Sequence, residues 1–188
     1  DIDAPFEIVD WGCGQGLATI CLIDRLREKG LLSRLRSVTL VEPSCVAIAR
    51  AETNIRAQLR GNPGIRISLH KACLPGLVPH RNVYCHHKVG QRISVNLFSN
   101  ILDVPGIDLK SLATMVAGTG YRQYLLCVGP VNSTHDRINA FTRYFRIAGF
   151  FSDFISAQYG MTRTGKCFGC ISKGFQIVRE DGKPVLVP

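Results

Sequence analysis

The chain has 188 residues, 46% hydrophobic and 20% charged, the balance of one ordinary globular domain over residues 1–188, which excludes a disordered tail. No apolar run reaches the ~18 residues a membrane-crossing helix needs, so no membrane partner is expected. The net charge of +9, from 23 Lys and Arg against 14 Asp and Glu, is compatible with an anionic partner, nucleic acid first, or with an ordinary basic soluble domain, since the arginines are scattered and not in one run.

Phe6–Asp10 is a near-continuous apolar run, as expected of a strand buried on both faces. A glycine-rich turn, Gly12 to Gly16, follows. Leu17–Lys29 carries apolar residues at 17, 20, 21 and 26, a helical stripe that Gly30 ends. Ser37–Val41 reads as a second strand closing on Glu42-Pro43. Ser44 caps a helix running to about Leu59, with Glu52 and Arg56 as an i,i+4 pair on its outer face. Ile65–Leu69 alternates as a third strand.

Residues 75–92 hold Pro75, Pro79, Gly76, Gly90 and three histidines, and show no helical period. Ile93–Phe98 is strand four. Asp108 caps a helix over Leu109–Ala117, which Gly118 and Gly120 end. Tyr121–Val128 is strand five. From Thr134 a helix places Ile138, Phe141, Phe145 and Ala148 on one face and stops at Gly149. Phe150–Ile155 is strand six, 156–166 a loop, and Phe168–Val178 a last strand. Alternating strands and helices predict an α/β fold with a mostly parallel sheet covered by helices. The closing strand pair, with no helix between, predicts one antiparallel strand near the edge.

The most informative stretch is Asp10-Trp11-Gly12-Cys13-Gly14-Gln15-Gly16, after strand one and opening a helix. Glycine at every second position permits a tight turn and close approach of a ligand to the backbone. A dinucleotide turn, G-x-G-x-x-G/A, fails because Leu17 stands at its sixth position, which argues against a nicotinamide-dependent oxidoreductase. No G-K-S/T follows, so a P-loop is excluded.

The pattern D-x-G-x-G-x-G resembles the first motif of class I S-adenosylmethionine (SAM)-dependent methyltransferases. The second strand, ending Leu40-Val41-Glu42-Pro43-Ser44, is similar to the family's next motif, where an acidic residue holds the two ribose hydroxyls of SAM. The element order is also similar to the family's seven-stranded sheet. The resemblance implies a three-layer Rossmann-like sandwich with SAM as cofactor. It further implies methyl transfer to an unidentified acceptor: small molecule, protein or RNA. Gly12, Cys13, Gly14 and Gly16 would then make room for the ribose and methionyl portions. Asp10 would hydrogen-bond around the turn or reach the ligand amine through water. Glu42, with Pro43 beside it, would accept the ribose O–H donors.

Three departures follow from the same comparison. After strand three the family often has a carboxylate for the adenine amine, whereas Leu69–Leu74 has none; backbone groups of Ala72 and Cys73 are left to frame the ring. After strand four, Asn96-Leu97-Phe98-Ser99-Asn100 lacks the N/D-P-P-Y/F tetrapeptide of enzymes that methylate exocyclic base amines, and the Pro-Cys of those acting on cytosine carbon 5. Asn96, Ser99 and Asn100 would line the floor of the cofactor cleft. These departures, with a start at Asp1 that reads as a piece of a longer polypeptide, support an alternative: a SAM-fold binding or scaffold module without activity.

The eight cysteines are expected to be free thiols in a cytoplasmic, reducing setting, with Cys21, Cys45 and Cys127 acting as small hydrophobes in apolar segments. Cys167-Phe168-Gly169-Cys170 is half of a zinc-ribbon spacing without its other half, so no metal is expected. His80, Cys85, His86 and His87 read as a polar loop whose imidazoles have a second use as general base. The 156–166 loop carries Tyr159, Arg163 and Lys166, suited to an anionic or planar acceptor. The sequence gives no oligomeric state.

Overall fold

The computed structural model describes residues 4–77, 93–117, 122–130, 134–154, 160–161, 167–168, 170–180, 183–184 and 187. In chain order they form β1 (Phe6–Trp11), α1 (Leu17–Glu28), a 3₁₀ turn (Leu32–Arg34), β2 (Leu35–Val41), α2 (Cys45–Gln58), β3 (Arg66–His70), β4 (Ile93–Ser99), α3 (Leu109–Ala117), β5 (Arg122–Pro130), α4 (Thr134–Thr142) and β6 (Ile147–Phe154). The short strands β7 (Gly160–Met161) and β8 (Cys167–Phe168) pair with each other. They precede β9 (Cys170–Ile177) and a small ladder of β10 (Arg179–Glu180) with β11 (Lys183–Pro184).

Seven strands make one sheet in the order β3-β2-β1-β4-β5-β9-β6. Every pairing from β3 to β5 is parallel, and β9 runs antiparallel between β5 and β6. This is the expected α/β Rossmann-like sandwich, with its antiparallel strand one place in from the edge. α1 and α2 pack on one face over Ile8, Val38, Leu40 and Leu97. α3 and α4 pack on the other over Val9, Trp11, Phe98, Cys127 and Phe175. β1 is buried at all six positions, as its unbroken apolar run requires.

The local signals act as their chemistry dictates. Ser44 Oγ accepts the Ala47 N–H at 3.3 Å and caps α2. Glu52 holds Arg56 at 2.7 Å on the outer face. Past α1 the Gly30 backbone turns left-handed (φ 67°), and the Leu31 N–H reaches back to the Leu26 carbonyl at 2.8 Å.

Three expectations are corrected. The buried face of α1 is Thr19, Ile23 and Leu26; Leu17 is 67% exposed and Cys21 faces solvent, because the Thr19 hydroxyl turns inward to a buried carboxylate. α4 stops at Thr142 rather than reaching Ala148, and β6 begins at Ile147. The chain turns through Tyr144 N–H to Phe141 O and Phe145 N–H to Thr142 O. That turn returns Phe145 to the core against Phe141 and Phe175, so the apolar spacing outlasts the helix. Cys45 opens α2 at the surface, so of the three cysteines read as hydrophobes only Cys127 is buried.

Candidate functional site

The site is built where β1 and β2 end and α1 begins. The Gly12 and Cys13 N–H groups both donate to the Val41 carbonyl, at 2.8 and 3.1 Å, which fastens the turn to the end of β2. The Gly16 N–H closes the turn on the Cys13 carbonyl at 2.8 Å. Gly12, Gly14 and Gly16 have φ of 71°, 52° and 80°, the left-handed region that glycine enters without strain. Their surroundings differ. A Cβ on Gly12 would lie 2.6 Å from Ile101 Cγ1, and one on Gly16 3.0 Å from Ile55 Cδ1 and 3.2 Å from Ala51 Cβ. A Cβ on Gly14 would meet nothing within 4 Å. Two glycines thus admit neighbouring protein, while the middle one faces open space.

Glu42 stands directly after β2. Its Oε2 accepts the Gly14 N–H at 3.1 Å and its Oε1 the Ser44 N–H at 3.0 Å. The Glu42 N–H donates to the His70 carbonyl at 3.1 Å, so the residue is fixed at both backbone and side chain. A carboxylate has about four acceptor positions, so lone pairs remain for a ligand diol.

Asp10 is buried one layer below. Its Oδ2 accepts the Thr19 hydroxyl at 2.6 Å, while its Oδ1 is buried and unpartnered among the described residues. Burial raises the Asp10 carboxyl to about 6, opposed by the Thr19 hydrogen bonds and reinforced by the charge of Glu42. The same burial, then the charges of Asp10 and Glu42, push the Cys13 thiol up to about 12 and keep it protonated.

The structure brings Asp10, Gly12, Cys13, Gly14, Gly16, Glu42 and exposed Pro43 into one constellation. Ala72 and Cys73, both half-buried, follow β3, whose neighbour β2 ends at Val41, where the glycine turn is fastened. Beside them the Lys71 ammonium is held above its ordinary value by a hydrogen bond with the Cys45 thiol. The loop after β3 is tied to the one before α3 by the Asp108 N–H on the Pro75 carbonyl, 2.9 Å. Ser99, half-buried, ends β4, and exposed Asn100 adopts a left-handed backbone (φ 54°).

Asn96 is placed differently from the expectation. It is fully buried, and its Oδ1 accepts the Trp11 indole N–H at 3.0 Å, so it lies within the sheet rather than on the cleft floor. Sequence reasoning also missed Thr19, Ile101 and the Ser44 N–H. A polar residue on an otherwise apolar helix face was the available signal for Thr19; nothing in the sequence announces that Ile101 folds over Gly12.

His80, Cys85, His86, His87, the loop with Tyr159, Arg163 and Lys166, and the side chain of Cys167 lie outside the described residues. Among the described residues no group of three or more His, Cys, Asp or Glu is placed to hold a metal ion, and no helix is long and apolar enough to cross a membrane. The six described cysteines are free.

No family model matches the sequence, and no curated protein matches it. Solved structures are similar over nearly the whole chain. A SAM-dependent methyltransferase from Aquifex aeolicus superposes with a TM-score of 0.53 at 10% identity, covering 95% of this chain and 85% of that one. A ribosomal protein L11 methylase from Lactobacillus delbrueckii gives 0.52 at 15% identity, over 95% and 72%. A protein from Agrobacterium tumefaciens described as a predicted O-methyltransferase gives 0.51 at 14%, over 92% and 74%. The chain therefore has the Rossmann-like fold of class I methyltransferases.

Proposed function

We propose that this chain is a methyltransferase domain that binds SAM over the Asp10–Gly16 turn and delivers its methyl group to an acceptor at the carboxyl edge of the sheet. The observation that carries the reading is the Glu42 carboxylate, held over Gly14 by two backbone N–H groups at the strand end where such a fold receives its ligand.

The residues present fit the cofactor. Asp10 Oδ1 is a buried acceptor lacking a donor, and the open side of Gly14 leaves room against the backbone. When bound, SAM would supply an electrophilic methyl group on a sulfonium cation. The chain binds and orients. Glu42 accepts the ribose hydroxyls with its remaining lone pairs. Asp10, buried beneath the turn, would reach the ammonium end only through water, and the glycine turn lets the backbone approach closely. Pro43, Ala72 and Cys73 would frame the adenine, and Ser99 would line the cleft. Asn96 acts at one remove, by fixing Trp11 at the end of β1. Holding the reactants in line supplies much of the rate enhancement in such a transfer.

The test is incubation with SAM and separate panels of small-molecule, protein and RNA acceptors, read as release of S-adenosylhomocysteine. Release with one panel is expected. Binding of SAM without release from any panel would leave a SAM-binding module in place of an enzyme.

A further inference from the structure

Among the described residues the cations are gathered toward one end of the strands, and neither the fold nor the cofactor site requires it. Lys29, Arg34, Arg36, Arg60, Arg66, Arg122, Arg143 and Arg146 all stand at the amino edge of the sheet, in the turns leading into β2, β3, β5 and β6 or at the first residues of those strands. All are exposed except Arg34, which is half-buried. At this edge the Glu7 carboxylate is buried beside Ser37, whose hydroxyl it accepts at 3.4 Å, and Asp24 and Glu28 each face an arginine on α1, Arg27 at 2.6 Å and Arg25 at 2.7 Å. The Arg27 guanidinium also donates to the Gln58 carbonyl at 2.6 Å, which sets the ends of α1 and α2 side by side. The opposite edge, with the glycine turn, carries Glu42, Asp103, Asp108 and Asp136 against Lys71, Lys110 and an Arg137 spent on the Leu102 and Ile107 carbonyls.

Helix C-termini favour cations, and α1–α4 all end at this edge. Arg34 and Arg146 are engaged by other groups; each helix end is equivalent to roughly half a negative charge, so four ends offset about two of the remaining six cations. The excess spans the sheet from Arg66 on β3 to Arg143 before β6. Six strand spacings make that about 29 Å, the length of about eight base pairs of duplex. Seven of the eight are arginines, whose planar fork matches phosphate oxygens in two parallel hydrogen bonds.

We propose that the amino edge of the sheet, centred on Arg36, Arg66 and Arg122, is a docking ridge for the phosphodiester backbone of a nucleic acid, on the side of the domain away from the cofactor cleft. The inference stands whether or not the cleft transfers methyl groups. It places backbone contacts only, so binding is expected to be indifferent to base sequence and steeply dependent on salt.

The experiment is fluorescence anisotropy of the full chain with labelled 16-nucleotide RNA, the same DNA strand and its 16-base-pair duplex, alongside sedimentation with phosphatidylserine vesicles. Binding to at least one oligonucleotide is expected at 50 mM salt. Arg36→Gln with Arg66→Gln should weaken it tenfold or more and reduce the salt slope by about one unit per lost contact. Lys71→Gln with Lys110→Gln removes equal charge from the opposite edge and should change it less than twofold. Arg122→Gln with Arg143→Gln is a second edge pair, in case the first disturbs β2 and β3. Absence of oligonucleotide binding, equal losses from the two edges, or capture by vesicles alone would each overturn the proposal.

Discussion

The Glu42 carboxylate accepts the N–H of Gly14, 28 residues away in sequence, at 3.1 Å. This contact joins the end of β2 to the middle of the glycine turn, and the Ser44 N–H on the other oxygen fixes the rotamer. Glu42→Ala leaves both donors to water. The site is half-exposed, so the expected loss is about 1–2 kcal/mol with the fold intact. Urea unfolding checks this; an unchanged midpoint would mean that the contact adds nothing to stability.

The three glycines separate by mechanism. Gly12→Ala drives its new methyl group into Ile101 and Gly16→Ala into Ile55 and Ala51, so both should lower stability by about 2 kcal/mol or more. Gly14→Ala meets no protein atom and incurs only the strain of its left-handed backbone, about 1 kcal/mol. Gly14→Val should nonetheless abolish SAM binding. Thermal unfolding and SAM titration of the set check this; full SAM affinity in folded Gly14→Val would remove the turn from the cofactor site.

Asp10 predicts a pH dependence of definite sign. Its folded value, about 6, lies above its ordinary 3.8, so the folded state binds the extra proton between those values. The stability it contributes is therefore present below about pH 4 and is lost as pH rises through 6, a change on the order of 3 kcal/mol. Asp10→Asn removes that term, so its stability relative to the parent should improve from pH 4 to pH 7. Paired urea titrations measure it; a constant difference would contradict the burial of an unpaired oxygen.

Asp108 caps α3, its Oδ1 accepting the Lys110 and Ser111 N–H groups and its Oδ2 the Ser111 hydroxyl at 2.6 Å. These bonds hold its carboxyl below the ordinary value. Asp108→Ala should cost about 1 kcal/mol at neutral pH. The cap's contribution should fade in acid, as pH falls through that lowered value. Equal stability of the two proteins at pH 7 would contradict this.

The alternation of strands and helices, the glycine turn and Glu42 were legible in the sequence because each rests on local spacing. The strand order was legible in outline only. That β9 inserts between β5 and β6 follows from long-range pairing, Leu126 with Gly174 and Phe150 with Phe175, which no local pattern encodes. The end of α4 was misread because Phe145 keeps helical spacing while a turn carries it into the core. Asn96 was misread because a polar residue near a strand end looks like a ligand contact, when its amide serves the Trp11 indole.

SAM recognition is proposed to rest on Glu42 and the Asp10–Gly16 turn. Isothermal calorimetry of SAM against the parent protein and Glu42→Ala tests it most directly. Micromolar binding to the parent is expected, about −7 to −9 kcal/mol, weakened in folded Glu42→Ala by roughly 1.5–3 kcal/mol as charge-assisted hydrogen bonds to the ribose are lost. No heat with SAM up to millimolar concentration, or equal affinity in the two proteins, would contradict it.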